Sequence, residues 1–226
     1  TRMSALTDQI AELHKAGVEI IVISSGAVAS GRSELKIHRK LDAVSARQLF
    51  SAVGQAKLIN RYYELFREHN IACGQVLTTK ENFSTRRQYL TQKQCMEVML
   101  ENKVIPIVNE NDTVAIDELE LEIGENDSLS ATVAAAVGAD LLIILSDING
   151  LYSADPRTDA NAQVIREVRK IDARIEQMAG GAGSALGSGG MATKINAAKI
   201  ATEAGVDMVI MNGRDPETGF FAGTAE

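Results

Sequence analysis

The sequence contains no tryptophan, and aromatic residues fill only 4% of its 226 positions. It is also short of positive charge: 23 lysines and arginines stand against 30 aspartates and glutamates, a net charge of −7. A general nucleic-acid binder needs a basic face, so that class is set aside. A small anion in a local basic pocket is not. The only two cysteines, Cys73 and Cys95, lack metal-ligand spacing and read as ordinary buried thiols of a cytoplasmic protein. Three histidines, His14, His38 and His69, share no motif. No apolar run approaches the length of a membrane span, no stretch reads as a signal peptide, and there is no internal repeat.

What is present is an alternation of elements. With 45% hydrophobic and 23% charged residues, the composition is that of a globular domain long enough to bury one sizeable core. Residues 1–16 open as a helix with Met3, Leu6, Ile10 and Leu13 on one face and Gly17 as its stop. A chain usually carries residues ahead of its first element, so this one is expected to begin inside a longer protein. Strands are predicted at 18–24, 71–78, 104–109, 140–146 and 206–212. Helices are predicted over 42–70 (as two helices meeting near Gly54), 85–103, 127–139 and 191–205. Residues 113–124 alternate weakly and read as a hairpin or extended excursion. Five nearly continuous apolar strands separated by helices imply an α/β fold with a mainly parallel sheet covered on both faces. Ligands in such folds gather at the carboxyl ends of the strands.

The strand ends are polar. "SSGAVASG" follows the first strand, and Gly26 there precedes a helix start whose free N–H groups suit an anion; a simple tight turn is the plainer reading. "NENDTVA" places Asn109, Glu110, Asn111 and Asp112 directly after "VIPIV", and "GENDSLSA" puts Asp127 where a helix N-cap would sit. Capping explains one such cluster. Two of them at sheet-rim positions suit a substrate bearing both an ammonium and a carboxylate. "SDINGLYSADPR" brings Ser146 and Asp147 to a strand tip, Tyr152 as a flat ring, and a turn at Asp155–Pro156.

"GSGGMATK", residues 187–194, ends the glycine-rich run 179–190. It is not a Walker A loop, because Lys194 has neither the preceding glycine nor the following Ser/Thr, and its glycine spacing is not that of a dinucleotide fingerprint. A flexible loop entering a helix near Met191 puts Lys194 in the first helical turn, beside the positive helix end. A bound phosphate turns that unfavourable position into a favourable one. The alternative is a solvated lysine after a mobile loop.

In order along the chain, "SSGAVASGR", "AVGQAKLI", "GQVLTT", "VIPIVNENDTVA", "GENDSLSA", "LSDINGLYSADPR" and "GSGGMATK" resemble the amino acid kinase family over nearly the whole length. "NEND" followed by "ENDSLSA" is similar to the members that phosphorylate glutamate, rather than to acetylglutamate, carbamate or uridylate kinases. The resemblance implies a three-layer α-β-α sandwich and one kinase domain over 1–226. It implies ATP-dependent phosphorylation of the γ-carboxylate of L-glutamate, the first step of proline biosynthesis. Ser25, Asp112 and Asn126 match glutamate-binding positions, with Gly26 and Ala27 beside Ser25. Ser146 and Asp147 match the nucleotide site, with Tyr152, Asp155 and Arg157 following. So does the run Ser188, Gly189, Gly190, Met191, Ala192, Thr193, Lys194. Lys194 matches a lysine that stabilises the transferring phosphoryl group, and Asp127 an aspartate that holds catalytic lysines. Mg²⁺ is expected to be held by ATP phosphates and water, with no protein metal site. Proline as a feedback inhibitor and a homo-oligomeric state are also expected.

The sequence departs from the family pattern in two places. The family opens with a strand and a lysine-glycine loop, so about 20–30 further residues are expected before Thr1; without them turnover is expected to be severely impaired. The family's frequent C-terminal PUA domain is not found here, and the ending after Glu217 reads as abrupt. The competing expectations are a non-catalytic nucleotide- or amino-acid-binding module, or a kinase for another acceptor.

Overall fold

The computed structural model describes residues 2–114, 125–154, 156, 159–179 and 190–213. The chain divides into two compact units, residues 1–121 and 122–226.

In the first unit the order is α1 (Arg2–Lys15), β1 (Val22–Ile23), α2 (Ala27–Glu34), α3 (Ala43–Glu68), β2 (Ala72–Thr78), α4 (Glu81–Ser84), α5 (Arg86–Glu101) and β3 (Val104–Glu110). The strands form a parallel sheet in the order β1-β3-β2. β3 is central, which is why its apolar run is unbroken: Ile105, Ile107 and Val108 are all buried. Ile105 and Ile107 face Ile10 and Ala11 of α1 and Tyr62 and Phe66 of α3, and Met3 and Leu6 join them as the helical periodicity predicts. α5 packs on β3. Its Met99 methyl lies 2.7 Å from where Gly74 of β2 would carry a Cβ, on the face opposite Cys73 and Ile105.

β1 is much shorter than the predicted strand 18–24. Ser24 N–H donates to the Val108 carbonyl, and continuing that ladder back along β3 calls for an N–H at Pro106, which has none. The predicted break near Gly54 is absent: α3 is one helix of 26 residues. Gly54 is there for close approach, since a Cβ on it would lie 1.7 Å from the Ala27 carbonyl oxygen of α2. Reciprocally, a Cβ on Gly31 of α2 would lie 1.8 Å from the Phe50 carbonyl oxygen. Asp42 caps α3 by accepting from Ser45 N–H, and Thr85 caps α5 by accepting from Gln88 N–H.

The second unit contains α6 (Glu125–Val137), β4 (Leu141–Ser146), β5 (Leu151–Tyr152), β6 (Val164–Ile165), α7 (Ala173–Met178), α8 (Met191–Glu203) and β7 (Asp207–Asn212). β4 and β7 pair in parallel, and β5 and β6 form a small antiparallel pair. Ala131 and Ala134 of α6 meet Ala197 and Ala201 of α8 over Leu142, Ile144 and Val206; these small side chains let the two helices approach closely. The predicted helix 127–139 starts two residues earlier, so Asp127 is inside α6 rather than at its cap. The short α4, α7, β5 and β6 were not expected, being too brief to show a period.

The cysteines also differ from expectation: Cys73 is half-buried and Cys95 exposed. The predicted excursion at 113–124 falls outside the described residues from 115 onward. No described helix is long and apolar enough to cross a membrane.

Candidate active site

Two groups of polar residues, one in each unit, are candidates for the chemistry. The first lies at the carboxyl ends of β1 and β3. After β1, Ser24 is buried and its hydroxyl donates to the Tyr62 hydroxyl at 3.2 Å. Burial pushes the Tyr62 phenol up, while the Ser24 contact pulls the other way. Ser25 and Gly26 are exposed and Ala27 is buried. Gly26 is the N-cap of α2 at φ 90°, a left-handed conformation that a side chain would strain, and no side chain caps that helix. The chain therefore offers bare N–H groups beside the Ser25 hydroxyl.

After β3, Asn109, Glu110 and Asp112 are all buried. Asn109 turns its Oδ1 back to accept from Glu110 N–H. Asn111 N–H donates to the Thr78 carbonyl, tying this turn to the end of β2. From α3, Arg47 reaches the two carboxylates: its Nε lies 2.8 Å and a terminal nitrogen 2.7 Å from Asp112 Oδ1, and a terminal nitrogen lies 3.3 Å from Glu110 Oε2. Gln48 donates to the Thr113 carbonyl and Gln55 to the Glu110 carbonyl. Both carboxylates of the turn and two of its carbonyls are thus held by one helix.

The second group joins α6 and α8. Lys194 is buried, with 7% of its surface exposed, which rules out the solvated lysine considered above. Its Nζ lies 3.1 Å from Asp127 Oδ2. The Thr193 hydroxyl lies 2.7 Å from the same oxygen and 2.8 Å from the Gly190 carbonyl, and its single proton serves one of them at a time. Asp127 offsets the cost of a cation in the first turn of α8. Gly190 is the N-cap of α8 without a side-chain cap, and the space where its Cβ would be is open. An uncapped helix start of this kind, with a buried lysine one turn in, fits an anionic phosphate group.

Met191 and Thr193 are half-buried and Ala192 exposed on that first turn; Asn126 is half-buried at the start of α6. Ser146 ends β4 half-buried, with its carbonyl accepting from Gly213 N–H, and Asp147 is exposed beside it. Tyr152 lies half-buried in β5. Asp155, Arg157, Ser188 and Gly189 lie outside the described residues.

The sequence reading missed Arg47, Gln55 and Tyr62. Their spacing carried a signal: 47, 48, 51, 55 and 62 recur at helical intervals and so share the stripe that includes Gly54. Polar residues on the buried stripe of a long helix need partners, and strand ends supply them.

A family model described as "Amino acid kinase family" matches residues 1–212. The glutamate 5-kinase of Bacteroides thetaiotaomicron is 61% identical over 214 residues, covering 95% of this chain and 58% of that protein. The glutamate 5-kinase of Carboxydothermus hydrogenoformans is 47% identical over 208 residues, 92% of this chain and 55% of that protein. For that of Clostridium acetobutylicum the figures are 43% over 216 residues, 96% and 80%. The chain thus spans a little over half the length of the first two relatives. Among solved structures, an isopentenyl phosphate kinase superposes with a TM-score of 0.59 at 13% identity, over 98% of this chain and 85% of that one. The aspartate kinase from Synechocystis superposes with a TM-score of 0.60 at 17% identity, over 96% and 36%. These two share the fold. With the family model covering residues 1–212 and the strand-end motifs in place, the chain belongs to the amino acid kinase family.

Proposed function

We propose that this protein transfers the γ-phosphoryl group of ATP to the γ-carboxylate of L-glutamate, giving γ-glutamyl phosphate, the first step of proline biosynthesis. The observation that carries this reading is the buried Lys194, held by Asp127 at the uncapped start of α8. The names of the relatives supply the acceptor.

The chemistry asks little covalent work of the protein. A glutamate γ-carboxylate is already ionised at neutral pH, so no histidine or cysteine base is needed. The difficulty is repulsion between two anions, which positioning and positive charge must offset. Lys194 supplies the charge for the oxygens of the transferring group, and Asp127 and Thr193 hold it in place. Gly190, Met191 and Ala192 offer N–H groups for nucleotide phosphate at the start of α8, and Ser188 and Gly189 are assigned to the same phosphates. Ser146, Asp147, Tyr152, Asp155 and Arg157 are assigned to the rest of the nucleotide. Mg²⁺, which offsets phosphate charge when bound, would be held mainly by the phosphates and water. Ser25, Gly26, Ala27, Asp112 and Asn126 are assigned to glutamate. A cytoplasmic homo-oligomer is the expected setting.

The test is glutamate-dependent ADP release in a coupled assay, with hydroxylamine trapping the acyl phosphate, compared across glutamate, aspartate, acetylglutamate and UMP. Hydroxamate formed with glutamate alone supports the reading. Transfer to another acceptor reassigns the substrate, and nucleotide binding without transfer to any acceptor overturns catalysis. Within the site, Asp112→Ala and Asn126→Ala should each raise the glutamate KM with little change in kcat, because they are assigned to contacts present before and during transfer. A rise in the ATP KM instead would show the two half-sites exchanged.

A further inference from the structure

Arg47 is a charge that the proposed reaction does not use. It stands in the first turns of α3, half-buried, with its guanidinium across Glu110 and Asp112. Two buried carboxylates thus stand together at the rim of the sheet. Carboxylates suit a substrate cation and repel a substrate carboxylate. Both close contacts to Asp112 fall on one oxygen, Oδ1, so two guanidinium nitrogens anchor the carboxylate at that atom. The same helix fixes the backbone behind it, through Gln55 to the Glu110 carbonyl and Gln48 to the Thr113 carbonyl.

We infer that Arg47 is a positioning residue for substrate selection: by fixing the Asp112 carboxylate it makes this rim select an acceptor carrying an α-ammonium group. This rests on the assignment of glutamate to Asp112. Removing the guanidinium takes away the two donors that anchor Asp112 Oδ1. What is lost is the aim of Asp112.

The experiment uses the full chain with Arg47→Met and Arg47→Lys, measuring kcat and KM for L-glutamate, KM for ATP, and inhibition by glutarate. Glutarate has the same two carboxylates and no ammonium. For Arg47→Met the glutamate KM should rise on the order of ten- to a hundredfold, with kcat and the ATP KM within about threefold. The glutarate inhibition constant should stay within about threefold too, because glutarate has nothing for Asp112 to hold. Arg47→Lys should recover part of the loss: it keeps the charge but lacks the planar fork. If Arg47→Met does not fold, Arg47→Lys alone decides, through a glutamate KM raised while glutarate inhibition is unchanged. An unchanged glutamate KM in an active enzyme overturns the proposal and leaves the proposed activity standing. So does weakening of glutarate in parallel, which would place Arg47 directly on a substrate carboxylate, and so does a fall in kcat with a matching rise in both KM values. A wild-type chain with no glutamate-dependent turnover removes the activity and this proposal together.

Discussion

At the scale of the residue, a buried lysine is held by a half-buried aspartate. Lys194 and Asp127 have side chains only 9% and 17% exposed. Breaking such a pair from one side strands the other charge, at a cost of about 3 kcal/mol, the low end for buried pairs because Thr193 still donates to Asp127. Lys194→Met should therefore lower Tm, and the double variant Lys194→Met with Asp127→Asn should recover much of the loss. Catalysis should not recover: kcat should fall about 10²–10³-fold in both, with the glutamate KM little changed. An unchanged kcat in a folded Lys194→Met protein would remove Lys194 from the reaction. Asp42 gives a pH-dependent case. The Ser45 N–H, then the Ser45 hydroxyl, hold its carboxyl below the ordinary 3.8. A depressed folded value means the stabilisation is complete above the unfolded value and is lost as pH falls through the folded one. Asp42→Ala should lower Tm at pH 7, and its difference from wild type should shrink below about pH 4 in melts taken down the acid range. A difference that stayed constant to pH 2 would contradict the cap.

At the scale of the element, α3 organises the first group of polar residues. It reaches two strand ends: Tyr62 meets Ser24 after β1, while Gln55 and Arg47 meet the Glu110 carbonyl and Asp112 after β3. Its approach to α2 depends on Gly54 and Gly31, where any Cβ would strike backbone rather than a side chain that could swing aside. Gly54→Ala must push away Ala27, the first residue of α2, and with it the Gly26 turn. It should cost about 1–3 kcal/mol by overpacking and raise the glutamate KM more than the ATP KM. Melts and steady-state kinetics on the one variant check both; an alanine accepted with no change in Tm would mean that the helices are farther apart than described. The sequence placed a glycine in a long helical pattern, and local rules read it as a break. Only the neighbour across the interface shows that it permits contact instead.

At the scale of the whole molecule, the chain spans a little over half of two relatives and four fifths of a third. Proline shares with glutamate an α-carboxylate and a cationic nitrogen. It should compete with glutamate, so that saturating glutamate relieves inhibition; equal inhibition at low and saturating glutamate would argue against a shared pocket. What the sequence determined by itself was the order of the longer helices and strands, the mainly parallel class of their pairing, and the polar strand ends. These follow from hydrophobic period, turn residues and local capping, all written within a few neighbours. It also picked out Lys194 from its place in the first turn of a helix, and the resemblance to a family implied that Asp127 holds catalytic lysines. The tertiary structure decided the rest. It cut β1 to two residues because Pro106 on the adjacent strand lacks a donor. It carried Asp127 from a supposed cap into α6, within 3.1 Å of Lys194, and it placed Arg47 of α3 on Asp112, 65 residues away in sequence. Such pairings depend on which buried charge finds a partner when the chain closes, and no local pattern encodes the partner.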